Sequence, residues 1–81
     1  MQGKNVLYNG QELILTKYFG GPCLFIKYPS QISIPKMQFV GGYPNEYCIY
    51  LKDLTETEKS MIIDLDGKKI NITDELAQMD D

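Results

Sequence analysis

A small all-β fold is what this sequence predicts: an antiparallel barrel of five or six short strands with a short helix at the C-terminal end. Three observations carry the prediction. Two stretches of alternating apolar and polar residues are each interrupted by a dipeptide suited to a two-residue type I′ turn, Asn9-Gly10 and Asp66-Gly67. Between them lie CLFIKY (residues 23–28) and EYCIYL (residues 46–51), runs rich in β-branched and aromatic side chains. No stretch repeats its apolar residues at the helical period over three turns, so any helix is short. A sheet of this length hides its edges most simply by closing on itself, which favours a barrel.

The first hairpin joins residues 4–8 to residues 11–18. Pairing about Asn9-Gly10 sets Val6 opposite Leu13 and Tyr8 opposite Gln11, so Val6, Tyr8, Leu13 and Leu15 share one face. Phe19-Gly20-Gly21-Pro22 then interrupts the chain. Residues 23–28 are almost continuously apolar, as in a central strand covered on both faces. Residues 31–34 alternate before Pro35 and read as a short edge strand. Met37 and Phe39 continue an alternation up to a second Gly-Gly loop at Gly41-Gly42. In the next strand, Tyr47, Ile49 and Leu51 lie on one side and Cys48 and Tyr50 on the other.

Thr55-Glu56-Thr57-Glu58 fits a capping box, with Thr55 as N-cap and Glu58 at the third helical position of a single turn. Residues 60–73 then form a second hairpin about Asp66-Gly67. Its register pairs Leu65 with Lys68, Asp64 with Lys69, Ile63 with Ile70, Ile62 with Asn71 and Met61 with Ile72. Met61, Ile63, Ile70 and Ile72 would share the core face, with Asp64 and Lys69 as an opposite-charge pair on the wet face. Thr73 or Asp74 caps a short helix through Met79, with Leu76 and Met79 as its apolar contacts. Residues 1–79 are read as one domain and residues 80–81 as a frayed acidic terminus.

The opening GKNVLYNGQELIL (residues 3–15) resembles the first hairpin of short SH3-like barrel proteins common in low-GC bacteria and their phages. The resemblance covers the N-terminal hairpin. It implies an SH3-like barrel, with an OB-like barrel as the alternative, and transfers no functional residue.

Composition narrows the chemistry. There is no His, Arg or Trp, so the chain lacks the commonest proton-transfer and metal-binding side chain and the guanidinium fork of base and phosphate recognition. Ser30, Ser33, Ser60 and the two cysteines have no His to activate them, and the chain reads as non-enzymatic. Cys23 and Cys48 are too few for a zinc site and read as buried free thiols of a reducing compartment. Asp64-Leu65-Asp66-Gly67 begins like a calcium loop, but its glycine comes too early and Lys68 occupies a ligand position. No metal or cofactor is expected. The start of the chain has no apolar run, which places the protein in the cytoplasm, or in the host cytoplasm if a virus encodes it, with no membrane role.

The net charge of −3 conceals an asymmetry. Residues 1–52 carry five lysines against two glutamates, a net of +3, whereas residues 53–81 carry three lysines against nine acids, a net of −6. Two candidate surfaces follow. One is aromatic, built from the Gly-Gly loops and their neighbours Tyr18, Phe19, Tyr43, Tyr47 and Tyr50, because Tyr joins a broad apolar face to a polar tip. The other is acidic: Asp53, Glu56, Glu58, Asp64, Asp66, Asp74 and Glu75.

Together they suggest a non-catalytic module that binds a macromolecular protein partner, for instance a phage or mobile-element inhibitor of a host protein. Two alternatives are open. One is a self-associating structural protein, paired through its opposite charges or the edge strand at residues 31–34. The other is a weak binder of single-stranded nucleic acid, which the acidic balance and the scattered lysines disfavour.

Overall fold

The computed structural model describes residues 3–26, 34–42 and 46–79. The N-terminal hairpin forms in the predicted register. β1 (Lys4–Tyr8) pairs antiparallel with β2 (Gln11–Tyr18), Val6 opposite Leu13 and Tyr8 opposite Gln11. Asn9 and Gly10 take φ of 52° and 75°, the two left-handed residues that a type I′ turn needs. The alternation then buries Val6, Tyr8, Leu13 and Leu15 together.

β3 (Gly21–Ile26) follows a turn at Phe19-Gly20 and begins two residues earlier than predicted. Pairs between Tyr18 and Gly21 and between Lys17 and Pro22 extend the ladder to the turn itself. Gly21 has φ of 113°, a conformation open to glycine. Cys23 to Ile26 are all buried, as a strand covered on both faces requires. Lys27 and Tyr28 lie outside the described residues, as does the edge strand predicted at residues 31–34 except for Ile34. That residue is buried and opens a turn in which the Met37 N–H donates to the Ile34 carbonyl at 3.4 Å.

β4 (Gln38–Gly41) and β5 (Glu46–Tyr50) complete the sheet, with a bulge between Phe39 and Gly41. The strand order is β1-β2-β3-β5-β4, and every pairing is antiparallel. The sheet is not closed into a barrel: β1 and β4 end it on opposite sides. The outer edge of β1 is met by the C-terminal segment. There the Leu7 N–H donates to the Ile63 carbonyl at 2.8 Å and the Ile63 N–H donates to the Leu7 carbonyl at 3.1 Å.

After a 3-10 turn at Leu51–Asp53 comes α1 (Glu56–Ser60), which opens on the predicted capping box. The Glu58 N–H donates to Thr55 Oγ1 at 3.1 Å, and the Thr55 N–H donates back to Glu58 Oε1 at 2.9 Å.

The second hairpin differs from its prediction. Ile63 bridges Lys69 and not Ile70, so the proposed Asp64–Lys69 pair does not form. The cause is Asp64, whose carboxylate accepts the N–H groups of Asp66 and Lys68, both at 2.9 Å, and organises a longer loop than a two-residue turn. The predicted faces are also exchanged at the start: Met61 is exposed and Ile62 is buried. Met61 is the C-cap of α1 and still has helical dihedrals, so strand alternation has not begun there.

α2 (Ile72–Ala77) starts earlier than predicted and is capped by Asn71 rather than by Thr73 or Asp74, since Asn71 Oδ1 accepts the Asp74 N–H at 3.1 Å. Leu76 and Met79 make the expected apolar contacts. With Ile70 and Ile72 they pack on a core of Val6, Tyr8, Leu13, Leu15, Leu24, Ile26, Ile34, Ile49, Leu51, Leu54 and Ile62.

Candidate functional site

Alternation along the three inner strands decides what the opposite face of the sheet carries. The registers bring Ile14, Thr16 and Tyr18 of β2, Cys23 and Phe25 of β3, and Cys48 and Tyr50 of β5 onto one face, turned away from the core. Thr16, Cys23, Phe25 and Cys48 are buried there, while Tyr18 and Tyr50 are half-buried. At the turn end of this face Phe19 projects into solvent, the residue 100% exposed. Tyr18 meets it edge to face, with ring centroids 5.4 Å apart, and itself lies 6.1 Å from the ring of buried Phe25. The exposed ring therefore rises from a turn backed by packed aromatics.

Tyr50 ties that turn to the sheet. Its ring packs against Gly20 so closely that a Cβ there would fall 2.5 Å from Cε1 and Cζ. The Gly20 N–H donates to the Tyr50 hydroxyl oxygen, and the hydroxyl donates to Cys48 Sγ. Cys48 also accepts from the Cys23 thiol.

Burial pushes the Cys23 thiol up to about 12, with the neighbouring Cys48 adding to the effect. Burial raises Cys48 as well, against the opposing pull of hydrogen bonds from Tyr50 and Cys23 that favour its thiolate. The Tyr50 hydroxyl is raised by desolvation first and by Cys48 second. Both cysteines are free thiols. Beyond Tyr50, the Lys52 ammonium stands 5.4 Å from the ring centroid, within cation–π range.

Of the predicted aromatic set, the structure brings Tyr18, Phe19 and Tyr50 together and separates Tyr47. That side chain is opposite Ile26, on the core side, in an edge-to-face pair with Phe39 at 5.4 Å, and it packs on the core. Tyr43 lies outside the described residues. Phe25, Cys23, Cys48 and Lys52 belong to the cluster but were not singled out for it. For three of them the signal is parity: Cys48 lies two places before Tyr50, Cys23 lies opposite Tyr50, and Phe25 lies opposite Cys48.

The acidic residues fall on four separate elements: the 3-10 turn, α1, the Asp64 loop and α2. Asp53 accepts from the Gln38 amide at 3.1 Å, Glu56 pairs with Lys59 at 2.9 Å, and Glu58 pairs with Lys36 at 2.7 Å. Asp64 holds its own loop, and Asp66 is exposed at the tip of it. On α2, Glu75 stands 3.8 Å from Lys4 and Asp74 is exposed. A groove of ≈ 590 Å³, which no sequence motif marked, runs between these elements, with Lys52, Glu56, Lys59, Ile70, Ile72 and Pro22 among its walls. It joins segments far apart in the chain, so only the folded packing creates it.

Among the described residues, no group of three or more Cys, Asp or Glu side chains converges as a metal site requires. Nor is any helix among them long and apolar enough to cross a membrane. The fold and this face define a class: a small open antiparallel sheet with an aromatic turn on its outer side. Comparison with family models, with curated proteins and with solved structures found no match.

Proposed function

We propose that the chain is a non-catalytic protein-binding module whose contact surface centres on Phe19. The supporting observation is an apolar ring fully exposed on a turn that is otherwise held in place. Phe19 buries nothing in the core, yet Tyr18, Phe25 and Tyr50 order the backbone that carries it. Interface energies concentrate in such anchors, because a ring already held in position loses little freedom when it enters a partner's pocket. Lys52 beside Tyr50 supplies a charge at the margin.

The acidic residues have a secondary part in this reading. Asp53, Glu56, Glu58, Asp64 and Glu75 are each engaged within the chain, which leaves rim charges that steer encounter more than they hold the complex. Two of these pairs, Lys4–Glu75 and Lys36–Glu58, join the cationic and acidic portions of one molecule. They weaken the case for head-to-tail association through the same charges. An SH3-like kinship is proposed as well, supported by five short antiparallel strands and tight turns, with the open sheet edges against it.

The test is affinity capture on immobilised chain at low and physiological salt, read by mass spectrometry, with Phe19→Ala beside the wild type. The reading expects one protein recovered by the wild type at both salts and lost with the variant, whose melting temperature stays that of the wild type. Equal recovery by both would sink it.

A further inference from the structure

We propose that the groove between α1 and the start of α2 is a binding site for a small amphipathic monocarboxylate, an acid with one carboxylate and an unbranched apolar body of the medium-chain fatty acid type. The groove holds ≈ 590 Å³, within the roughly 300–1,000 Å³ of small-molecule sites. Its apolar part is an opening in the core. Leu51 belongs to the core cluster, and Pro22, next to Cys23, is turned by strand alternation to the same side. Ile70 and Ile72 line the groove from the C-terminal segment and are only half-buried, so apolar surface stays wet inside a concavity. A hydrocarbon body that covers it removes that surface from water.

The charged groups decide what the head of the ligand must be. Lys52 and Lys59 flank the groove against a single carboxylate, Glu56. Glu56 pairs with Lys59 at 2.9 Å and stands 93% exposed, whereas the Lys59 side chain is 30% exposed, its stem laid along the wall. Lys52 has no carboxylate partner among the described residues, and its ammonium stands 5.4 Å from the centroid of the Tyr50 ring. Asn71 Oδ1 accepts the Asp74 N–H, so what Asn71 offers the groove is its amide donors, and the Thr73 hydroxyl stands beside it.

One positive charge in excess matches one negative charge. A neutral apolar ligand would cover Lys52 without compensating it. A doubly charged phosphate would leave a negative charge beside Glu56, and an organic cation would meet Lys52 as a like charge. The net charge of −3 gives the chain no general attraction for anions, so anion binding here reports the charge of the groove. Phe19 does not line the groove, which makes the site independent of the protein-binding surface.

The test titrates the isotope-labelled full chain with octanoate, octanamide and octylammonium and follows the backbone amide resonances. The proposal expects saturable shifts at Lys52, Lys59, Ile70 and Ile72 with octanoate, at a Kd on the order of 1 mM or tighter. Octanamide, of the same length but uncharged, should bind about fivefold more weakly, the most that one exposed ion pair contributes, and octylammonium more weakly still. Lys52→Gln should remove the preference for octanoate and leave octanamide affinity unchanged. Glu56→Gln, which frees Lys59, should tighten octanoate about twofold.

Equal affinity for the three probes, shifts centred on Phe19, or no saturable shift below about 10 mM overturns the site. Tighter binding of a capped Leu-Leu-Asp peptide than of octanoate assigns the groove to a protein segment and also overturns the proposal. Lys52 and Glu56 are both exposed, and the wild-type series decides these points even if a variant fails to fold.

Discussion

Lys36 Nζ lies 2.7 Å from Glu58 Oε1, the same oxygen that accepts the Thr55 N–H. One carboxylate thereby closes the cap of α1 and holds the turn before β4. Lys36 has φ of 70°, a left-handed conformation that non-glycine residues adopt only at a cost. Charge from this pair also reaches Tyr8 at the end of β1, so the helix cap, the turn and the first hairpin meet at one point.

This contact predicts an acid-sensitive stability. The hydrogen bond from Lys36, first, and the Thr55 N–H, second, hold the Glu58 carboxyl below its ordinary value of 4.5. A carboxyl depressed in the folded state contributes stability that is complete above its unfolded pKa and lost as pH falls through the folded one. Urea midpoints should be level between about pH 7 and 5 and fall below about 4.5, where Glu58→Gln flattens the decline. A Glu58→Gln profile parallel to the wild type would refute the assignment.

The Asp64 loop predicts a local loss. Asp64→Ala leaves the N–H groups of Asp66 and Lys68 without their acceptor and should cost about 1–2 kcal/mol in urea unfolding. Asp66→Ala, at an exposed carboxylate with no partner among the described residues, should stay within about 0.5 kcal/mol of the wild type. Reversal of that order would mean that the turn dipeptide, and not Asp64, organises the loop.

Gly20→Ala should act through Tyr50. The added Cβ would fall within 2.5 Å of the ring, which must move and give up its bond to Cys48. Labelling of the native protein by a thiol-reactive disulfide should then rise about fivefold. Unchanged labelling would show that Tyr50 does not guard the cysteines.

Alkaline pH should also unfold the protein. The Cys23 thiol has an ordinary value of 9.0 and is pushed up to about 12 by burial. A group raised in the folded state contributes stability that is full below its unfolded pKa and lost as pH rises towards the folded one. Stability should thus decline from about pH 9, by up to ~1.4 kcal/mol per pH unit for this group. Cys23→Ala should shift the onset upward in a chemical denaturation series, and an identical onset would contradict the claim.

Two local motifs were legible in full. Asn9-Gly10 with its flanking alternation determined a register, because the turn dihedrals and the burial of Val6, Tyr8, Leu13 and Leu15 demand the same pairing. Thr55 and Glu58 determined a helix start, because both hydrogen bonds close within three residues. Asp66-Gly67 looked equally clear and misled, since Asp64 competes for the turn's N–H groups and α1 delays the strand that follows it.

What the sequence by itself determined is therefore local: strand alternation, one turn, one cap and an apolar central strand. Tertiary structure alone decided that Ile63 meets Leu7 at the edge of an open sheet, that the side of β5 carrying Tyr47 is the core side, and that Tyr18 of β2 and Cys23 of β3 share the other face with Cys48 and Tyr50. The physical reason is one of range. Turn and cap energies depend on neighbours within four residues, whereas the partner of an edge, a face or a thiol depends on which distant segment packs there first and best.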